Sequence, residues 1–334
     1  MFKLLQSFFG GNETRGRYPE SLIEMAIERA VDGTDSRLRL LPGYRKRLRA
    51  PVIQAIDHVV ALVDDLPAPL AASRDGFNAD PRLATLFVSA AQMLEVLGHD
   101  RAMLEYLSGS SGLADRLTAL LLVERIEKNA LGMELAGDQV RRDVAQLTVS
   151  FRNHRLVDVA DSEAESRRLL KRRAFDHLLT LALARIAEAR EERTDLARQR
   201  DVLRHKLATL ERSGWSFEAG EATPPAPVSL QSELTDIETQ LERLGSDAGV
   251  LSSHLDIVVE QLAQAEQLLQ GDTFRMRLDS MNVQRDALDE TGRDIELPEI
   301  CNARGRRNVL LLISVIPGEL PPRENLLASA YRYL

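Results

Sequence analysis

The chain has 334 residues, of which 44% are hydrophobic and 4% aromatic, and its net charge is −8. This hydrophobic content supports a sizeable core and excludes a chain that is disordered throughout. The single cysteine, Cys301, excludes an internal disulfide framework and a cysteine-based zinc site, and the acidic charge argues against nucleic acid as a partner.

The first segment, MFKLLQSFFGG, places three phenylalanines beside a lysine. Its apolar run is too short for a signal peptide, so we expect a cytoplasmic protein. The phenylalanines could enter an anionic membrane surface, with the basic stretch at 36–49 as a second contact. The residues of this candidate anion or lipid surface are Phe2, Lys3, Phe8, Phe9, Arg45, Lys46, Arg47 and Arg49. The alternatives are a docked or frayed terminus, and basic side chains that pair with carboxylates of the same fold.

The next part of the chain has helical spacing of apolar residues. It is found near 20–31, 50–66, 81–97 and 113–135, with prolines and the loop at 108–112 between these segments. We therefore predict an N-terminal helical domain at 1–145. No later window has the ~20 apolar residues that a membrane-spanning helix needs.

One histidine-aspartate pair offers a candidate enzyme site. His99-Asp100, with His58 and Asp57 on an earlier helix, resembles the HD-type phosphohydrolases, and this resemblance implies a helical metal phosphohydrolase. The alternative is that Gly98 ends one helix and Asp100 caps the next. Phosphate-loop, dinucleotide, zincin and hydrolase-elbow motifs are absent from the sequence, so we predict no catalytic residue, metal or cofactor.

Short alternating segments predict a small antiparallel β element at 146–160 and 292–318. The stretch LTVSFRNHRLVDV at 147–159 is typical of two strands around a turn, and 293–297 and 308–316 predict two more.

A heptad repeat begins after these first strands. Twelve apolar residues follow one another at alternating spacings of four and three: Leu230, Leu234, Ile237, Leu241, Leu244, Ala248, Leu251, Leu255, Val258, Leu262, Ala265 and Leu269. A repeat of 3.5 residues keeps one stripe facing a partner helix, so it predicts a coiled coil.

An upstream segment from Phe175 to Leu210 has the same spacing and could be that partner, with Arg193 and Arg200 as the two exceptions to its apolar stripe. We expect Arg193 opposite Ala248, and Arg200 near Glu238 and Glu242. Residues 167–212 carry 13 basic and 7 acidic side chains, whereas 233–299 carry 5 basic and 16 acidic ones. Opposite charge favours pairing of the two segments, so we predict an antiparallel coiled-coil hairpin arm at 161–291. Pairing between two chains is the alternative.

The predicted tip loop of this arm, at 212–229, contains Trp215 and Phe217 beside a proline-rich flank. A large aromatic side chain outside the heptad stripe is either a binding anchor or a cap over the end of the arm. His177, His205 and His254 fall on the coiled-coil helices without ligand spacing, so we expect solvated or structural roles. A short C-terminal helix at 319–334 completes the prediction.

Together these patterns predict a mostly α fold, with a small β element and a long antiparallel coiled-coil hairpin inserted between its strands. We expect a non-enzymatic cytoplasmic scaffold or adaptor that binds protein partners through the arm and its tip, and that can self-associate. The alternatives are a peripheral membrane protein that self-assembles through the coiled coil and binds anionic lipid, and the helical phosphohydrolase.

Overall fold

A computed structural model describes residues 16–109, 114–136, 139–212, 227–244, 249–286, 289–302 and 307–321. The chain divides into two compact units. The sheet unit contains His58–Ala174 and the chain from Glu266 onward, and the helical unit contains Glu13–Asp57 and Phe175–Ala265. Two helices, α2 (Tyr44–Asp64) and α7 (Glu163–Arg212), contribute residues to both units.

A mixed sheet forms the centre of the sheet unit. Its strands are β1 (Leu70–Ala71), β2 (Leu117–Ala136), β3 (Gln139–Ala160), β4 (Leu269–Leu278), β5 (Arg293–Asn302) and β6 (Arg307–Val315). The order is β3-β2-β6-β5-β4, with antiparallel neighbours, and β1 pairs in parallel with β6. Between β1 and β2 the chain forms a series of short helices. They are α3 (Arg74–Ala79), α4 (Pro81–Leu86), α5 (Ala90–His99) and α6 (Arg101–Gly109).

Strand β6 is buried on both faces. Leu311 and Ile313 belong to the main core, which also contains residues of α4, α5 and α6. On the opposite face, Leu310 and Leu312 cluster with Val63 of α2 and other apolar residues. A strand covered on both sides has a continuous apolar sequence, which explains the run VLLLISV.

The β2–β3 hairpin is much longer than predicted. It pairs along its whole length, whereas β2 pairs with β6 only from Leu117 to Glu124. The helix predicted at 113–135 is wrong, because this segment is largely strand β2. The segment 147–159 is strand as predicted, but it is one continuous part of β3 and not two strands around a turn. Register shifts interrupt the pairing between Thr118 and Leu120 and between Leu122 and Glu124. Because each bulge shifts the alternation by one residue, the period of two is lost from the sequence.

The helical unit consists of helices from distant parts of the chain. They are α1 (Glu20–Gly33), a 3₁₀ helix (Ser36–Leu40), the first part of α2, the second part of α7, α8 (Pro227–Arg243) and α9 (Val250–Ala263). Arg29 of α1 makes a bidentate ion pair with Asp176 of α7. Gln54 of α2 donates its side-chain N–H to the carbonyl of Ala263, at 3.0 Å. These contacts hold α1 against α7 and α2 against the end of α9.

The predicted fold class is therefore wrong in two respects. The β element is a sheet with long strands, and its β2 lies where helix was predicted. The long coiled-coil hairpin is replaced by separate helices: α8 ends at Arg243, α9 begins at Val250, and after α10 (Ala265–Leu268) the last heptad position, Leu269, begins β4. A heptad pattern shows that one stripe of a helix is apolar, but that stripe can pack against several different elements and need not face a single partner helix.

Strands β5 and β6 contain the segments 293–297 and 308–316 except for Ile316, so those strand predictions are confirmed. Helix α1 contains the predicted segment 20–31. The C-terminal helix was predicted largely from residues that lie outside the described part of the chain. None of the described helices combines the length and hydropathy needed to span a lipid bilayer.

Candidate interaction surface

The distal part of α7 packs against α8 through a small apolar cluster. Leu203 of α7 and Leu230 and Ile237 of α8 are its buried members, each 5–6% exposed. The partly buried residues around them are Leu196, Leu207, Leu210, Leu234 and Leu241. All of these residues belong to α7 and α8, and we call this part of the helical unit the α7–α8 pair.

The pairing uses one stripe of each helix. In α7 most residues between the stripe positions are exposed, including Val202, which is 53% exposed although Leu203 beside it is buried. In α8, Gln231, Ser232 and Asp236 are likewise exposed. Most of the surface of the α7–α8 pair is therefore accessible and does not contribute to its apolar cluster.

Ion pairs on this surface are exposed. Arg204 of α7 donates to Glu238 of α8 at 2.5 Å, and Arg200 pairs with its neighbour Asp201 at 2.7 Å. Of the two carboxylates predicted near Arg200, Glu238 and Glu242, the first is bound by Arg204, one turn further along α7. Exposed pairs of this kind contribute roughly 0–1 kcal/mol each. The Arg204–Glu238 pair, which joins the two helices, therefore adds little to the stability of the α7–α8 pair.

The predicted partner-binding residues Trp215 and Phe217 lie outside the described residues, as does the predicted contact of Arg193 with Ala248. Along the sequence, Trp215 and Phe217 fall between the end of α7 at Arg212 and the start of α8 at Pro227. The sequence therefore places both aromatic residues in the connection of the α7–α8 pair.

The basic stretch predicted to bind anions is engaged with carboxylates of the helical unit. Arg45 pairs with Glu28 at 2.9 Å, while Arg47 pairs with Asp256 and Arg49 with Glu20. Burial raises the pKa of Glu28, but hydrogen bonds from Tyr44, Arg39 and Arg45 outweigh that effect and hold the pKa below its usual range. An external anion would have to compete with these carboxylates.

Of the other residues of that candidate surface, the structure describes Lys46. Lys46 is exposed. Phe2, Lys3, Phe8 and Phe9 lie outside the described residues.

The candidate phosphohydrolase residues His58, His99 and Asp100 make hydrogen bonds with backbone groups. His58 donates Nε2–H to the carbonyl of Leu269 at 2.7 Å, and His99 Nδ1 lies 2.8 Å from the carbonyl of Glu95. Asp100 accepts from the backbone N–H of Ala102 at 2.8 Å and thus caps α6, as the alternative interpretation predicted. Within the described ranges, no group of three or more His, Cys, Asp or Glu side chains is arranged to hold a metal ion.

Two adjoining cavities of the sheet unit were not predicted from the sequence. They measure about 430 and 540 Å³ and share Asp65, Thr273 and Pro298. Asp294 and Glu296 of β5 line the larger of the two, but Arg277 and Arg275 of β4 pair with these carboxylates at 3.0 and 2.9 Å. The alternation of charge along β4 and β5 is the signal in the sequence that corresponds to this lining.

Comparison of the chain with protein-family models, curated proteins and solved structures found no match.

Proposed function

We propose that this chain is a non-enzymatic scaffold or adaptor that binds a protein partner through the α7–α8 pair and the segment connecting its helices. The observation that carries this proposal is the separate apolar cluster of Leu203, Leu230 and Ile237. It gives two helices a stable mutual packing while most of their surface stays accessible. A rigid helical surface of this kind costs little conformational entropy to order when a partner binds.

The position of the aromatic residues supports the same proposal. Trp215, the single tryptophan, and Phe217 fall in the connection between the two helices, near three prolines. Tryptophan is enriched among the residues that dominate binding energy at protein interfaces. Charge adds selectivity, because the described part of α8 carries Glu233, Asp236, Glu238 and Glu242, and a partner with complementary basic groups would be preferred.

Site-specific photo-crosslinking in the source cells tests the proposal. A photo-reactive amino acid replaces Val202, which is exposed on α7, and in a matched control it replaces Val88, which is 91% exposed in the sheet unit. We expect one defined protein product from position 202 that is absent from position 88. A product at twice the mass of the chain would identify the partner as a second copy.

The contribution of the connection is measured in the same experiment. Trp215→Ala should reduce the crosslinked product at position 202 several-fold, whereas Trp215→Phe should retain most of it. Equal background crosslinking from positions 202 and 88, unaffected by Trp215→Ala, would contradict the proposed function.

A further inference from the structure

A histidine is buried between an aspartate and an arginine in the helical unit. His254 of α9 is 3% exposed, and the side chain of Asp35, which precedes the 3₁₀ helix, is 6% exposed. Nδ1 of His254 lies 3.0 Å from Asp35 Oδ2. The guanidinium of Arg190 in α7 approaches both ring nitrogens, with Nε 3.4 Å from Nε2 and Nη2 3.4 Å from Nδ1. Arg190 also donates to Asp35 Oδ2 at 2.7 Å. Three distant chain segments thus meet at one imidazole.

The partners define the protonation state of His254. Arg37 donates two side-chain hydrogen bonds to Asp35, and these outweigh burial and hold the pKa of Asp35 well below its usual range. The ionised carboxylate can only accept, so the ring donates Nδ1–H to it. Because Nδ1 donates to Asp35, the approach of Arg190 Nη2 to Nδ1 brings two donors together and is not a hydrogen bond. Arginine can only donate, so Nε2 is the acceptor that faces Arg190 Nε. The arrangement therefore selects a neutral imidazole with its proton on Nδ1.

A second proton on this ring would disrupt the arrangement. Protonation of Nε2 turns the acceptor of Arg190 into a donor and sets two cations 3.4 Å apart. Asp35 would then be the counter-charge of three cations, namely Arg37, Arg190 and His254. Burial and the charge of Arg190 lower the pKa of His254 against the opposing effect of Asp35, so the native arrangement resists protonation.

The other charged groups near α9 do not offset this effect. The ionisable residues of α9 besides His254 are Asp256, which is exposed and pairs with Arg47, and Glu260, which is exposed. From the other elements, Asp35 and Arg37 approach the imidazole at the 3₁₀ helix and Arg190 approaches it from α7. Asp35 is thus the carboxylate that holds the cluster together.

We propose that His254 is a proton-operated latch that holds α7 to α9 and to the segment before the 3₁₀ helix, and that opens in mildly acidic solution. Arg190 lies just before Leu196, the first residue of the apolar cluster of the α7–α8 pair. Opening of the latch would release α7 next to that pair. The latch is a property of the helical unit and does not depend on the proposed function.

The direction of the pH dependence follows from linkage. The pKa of His254 is lower in the folded state than the ordinary value of about 6.5, so its stabilising contribution is complete above pH ~6.5 and declines as the pH falls below it. At pH ~5.5 the population of opened molecules can rise by up to about tenfold relative to pH ~7.5, because the open state is about nine-tenths protonated there.

Two measurements on the full chain test the proposal. In ¹⁵N-histidine NMR spectra at pH ~7.5, His254 should be neutral with Nδ1 protonated. Hydrogen exchange of α7 around Arg190, corrected for the pH dependence of intrinsic exchange, should show up to about tenfold more opening at pH ~5.5 in the wild type. His254→Gln should remove this change.

The matched control is His177→Gln. His177 lies on α7 in the same unit, and burial alone lowers its pKa. This variant should retain the opening around Arg190 at low pH. If it removes that opening, or if His254→Gln behaves like the wild type, the latch is wrong.

Arg190→Gln provides a test if His254→Gln fails to fold. Removal of the cation that faces Nε2 should raise the pKa of His254 in the NMR titration. An unchanged or lower pKa in Arg190→Gln would overturn the proposal, as would a neutral His254 that carries its proton on Nε2.

Discussion

Arg125 of β2 and Glu299 of β5 form a buried ion pair across strands that are not neighbours in the sheet. Their contacts measure 2.9 and 3.1 Å, both side chains are 3% exposed, and the Arg125 guanidinium lies 4.2 Å from the centre of the Phe274 ring. Strand β6 separates β2 from β5 in the sheet order. Strand β6 begins at Arg307, and its pairing with β2 ends at Asn308 and Glu124. Arg125 is the next residue of β2, so it lies just beyond the part of β2 that pairs with β6.

Glu299→Ala should therefore destabilise the sheet unit by up to about 3–5 kcal/mol, because it removes the buried counter-charge of Arg125 and leaves that cation only its pair with the more exposed Glu127. Urea unfolding, followed by circular dichroism, measures the loss. Arg275→Ala breaks the exposed pair with Glu296 and should cost less than about 1 kcal/mol. Equal effects of Glu299→Ala and Arg275→Ala would contradict the importance of burial.

Leu203→Asp should separate the α7–α8 pair, since it places a carboxylate in the apolar cluster with Leu230 and Ile237, at a cost of several kcal/mol. We expect a loss of helical circular dichroism and new proteolytic cleavage within the pair. Val202→Asp is the neighbouring control, and its effect should stay within about 0.5 kcal/mol because Val202 is exposed. Intact helicity and protease resistance in Leu203→Asp would show that the cluster does not hold the pair together.

Asp279 should contribute to stability only above strongly acidic pH. Burial raises its pKa, but the backbone N–H of Val283, the side chain of Arg285 and the backbone N–H of Met281 outweigh burial and leave the pKa below its usual range. Because the folded pKa is the lower one, the contribution is present above the unfolded value of about 3.9 and is lost as the pH falls through the folded value.

Asp279→Asn should accordingly cost about 1–3 kcal/mol at pH ~7, and it should flatten the acid limb of a plot of unfolding free energy against pH. Chemical denaturation at a series of pH values gives that plot. Asp286→Asn, an exposed control in the same segment, should keep the wild-type acid limb. Identical profiles for Asp279→Asn and the wild type would show that the hydrogen bonds of Asp279 add no net stability.

The candidate site was only partly accessible from the sequence. The heptad stripe identified Leu203, Leu230 and Ile237, which do pack together, and the position of Asp100 predicted its cap on α6. The cluster of Asp35, Arg190 and His254 could not be predicted. Its members are far apart in the chain, and no local pattern encodes which buried carboxylate will face an imidazole.

The sequence by itself determined the helix at 20–31 with its apolar stripe, and where β5 and β6 lie, because helical spacing and short apolar runs are local properties of the chain. The tertiary structure decided what covers each stripe. The heptad residues Leu255, Val258 and Leu262 are buried in the interior and do not line a two-helix arm. The stretch around Leu121, whose sequence pattern is ambiguous, forms a bulged strand beside β6. Burial depends on every neighbour that an element meets, and those neighbours come from distant parts of the chain.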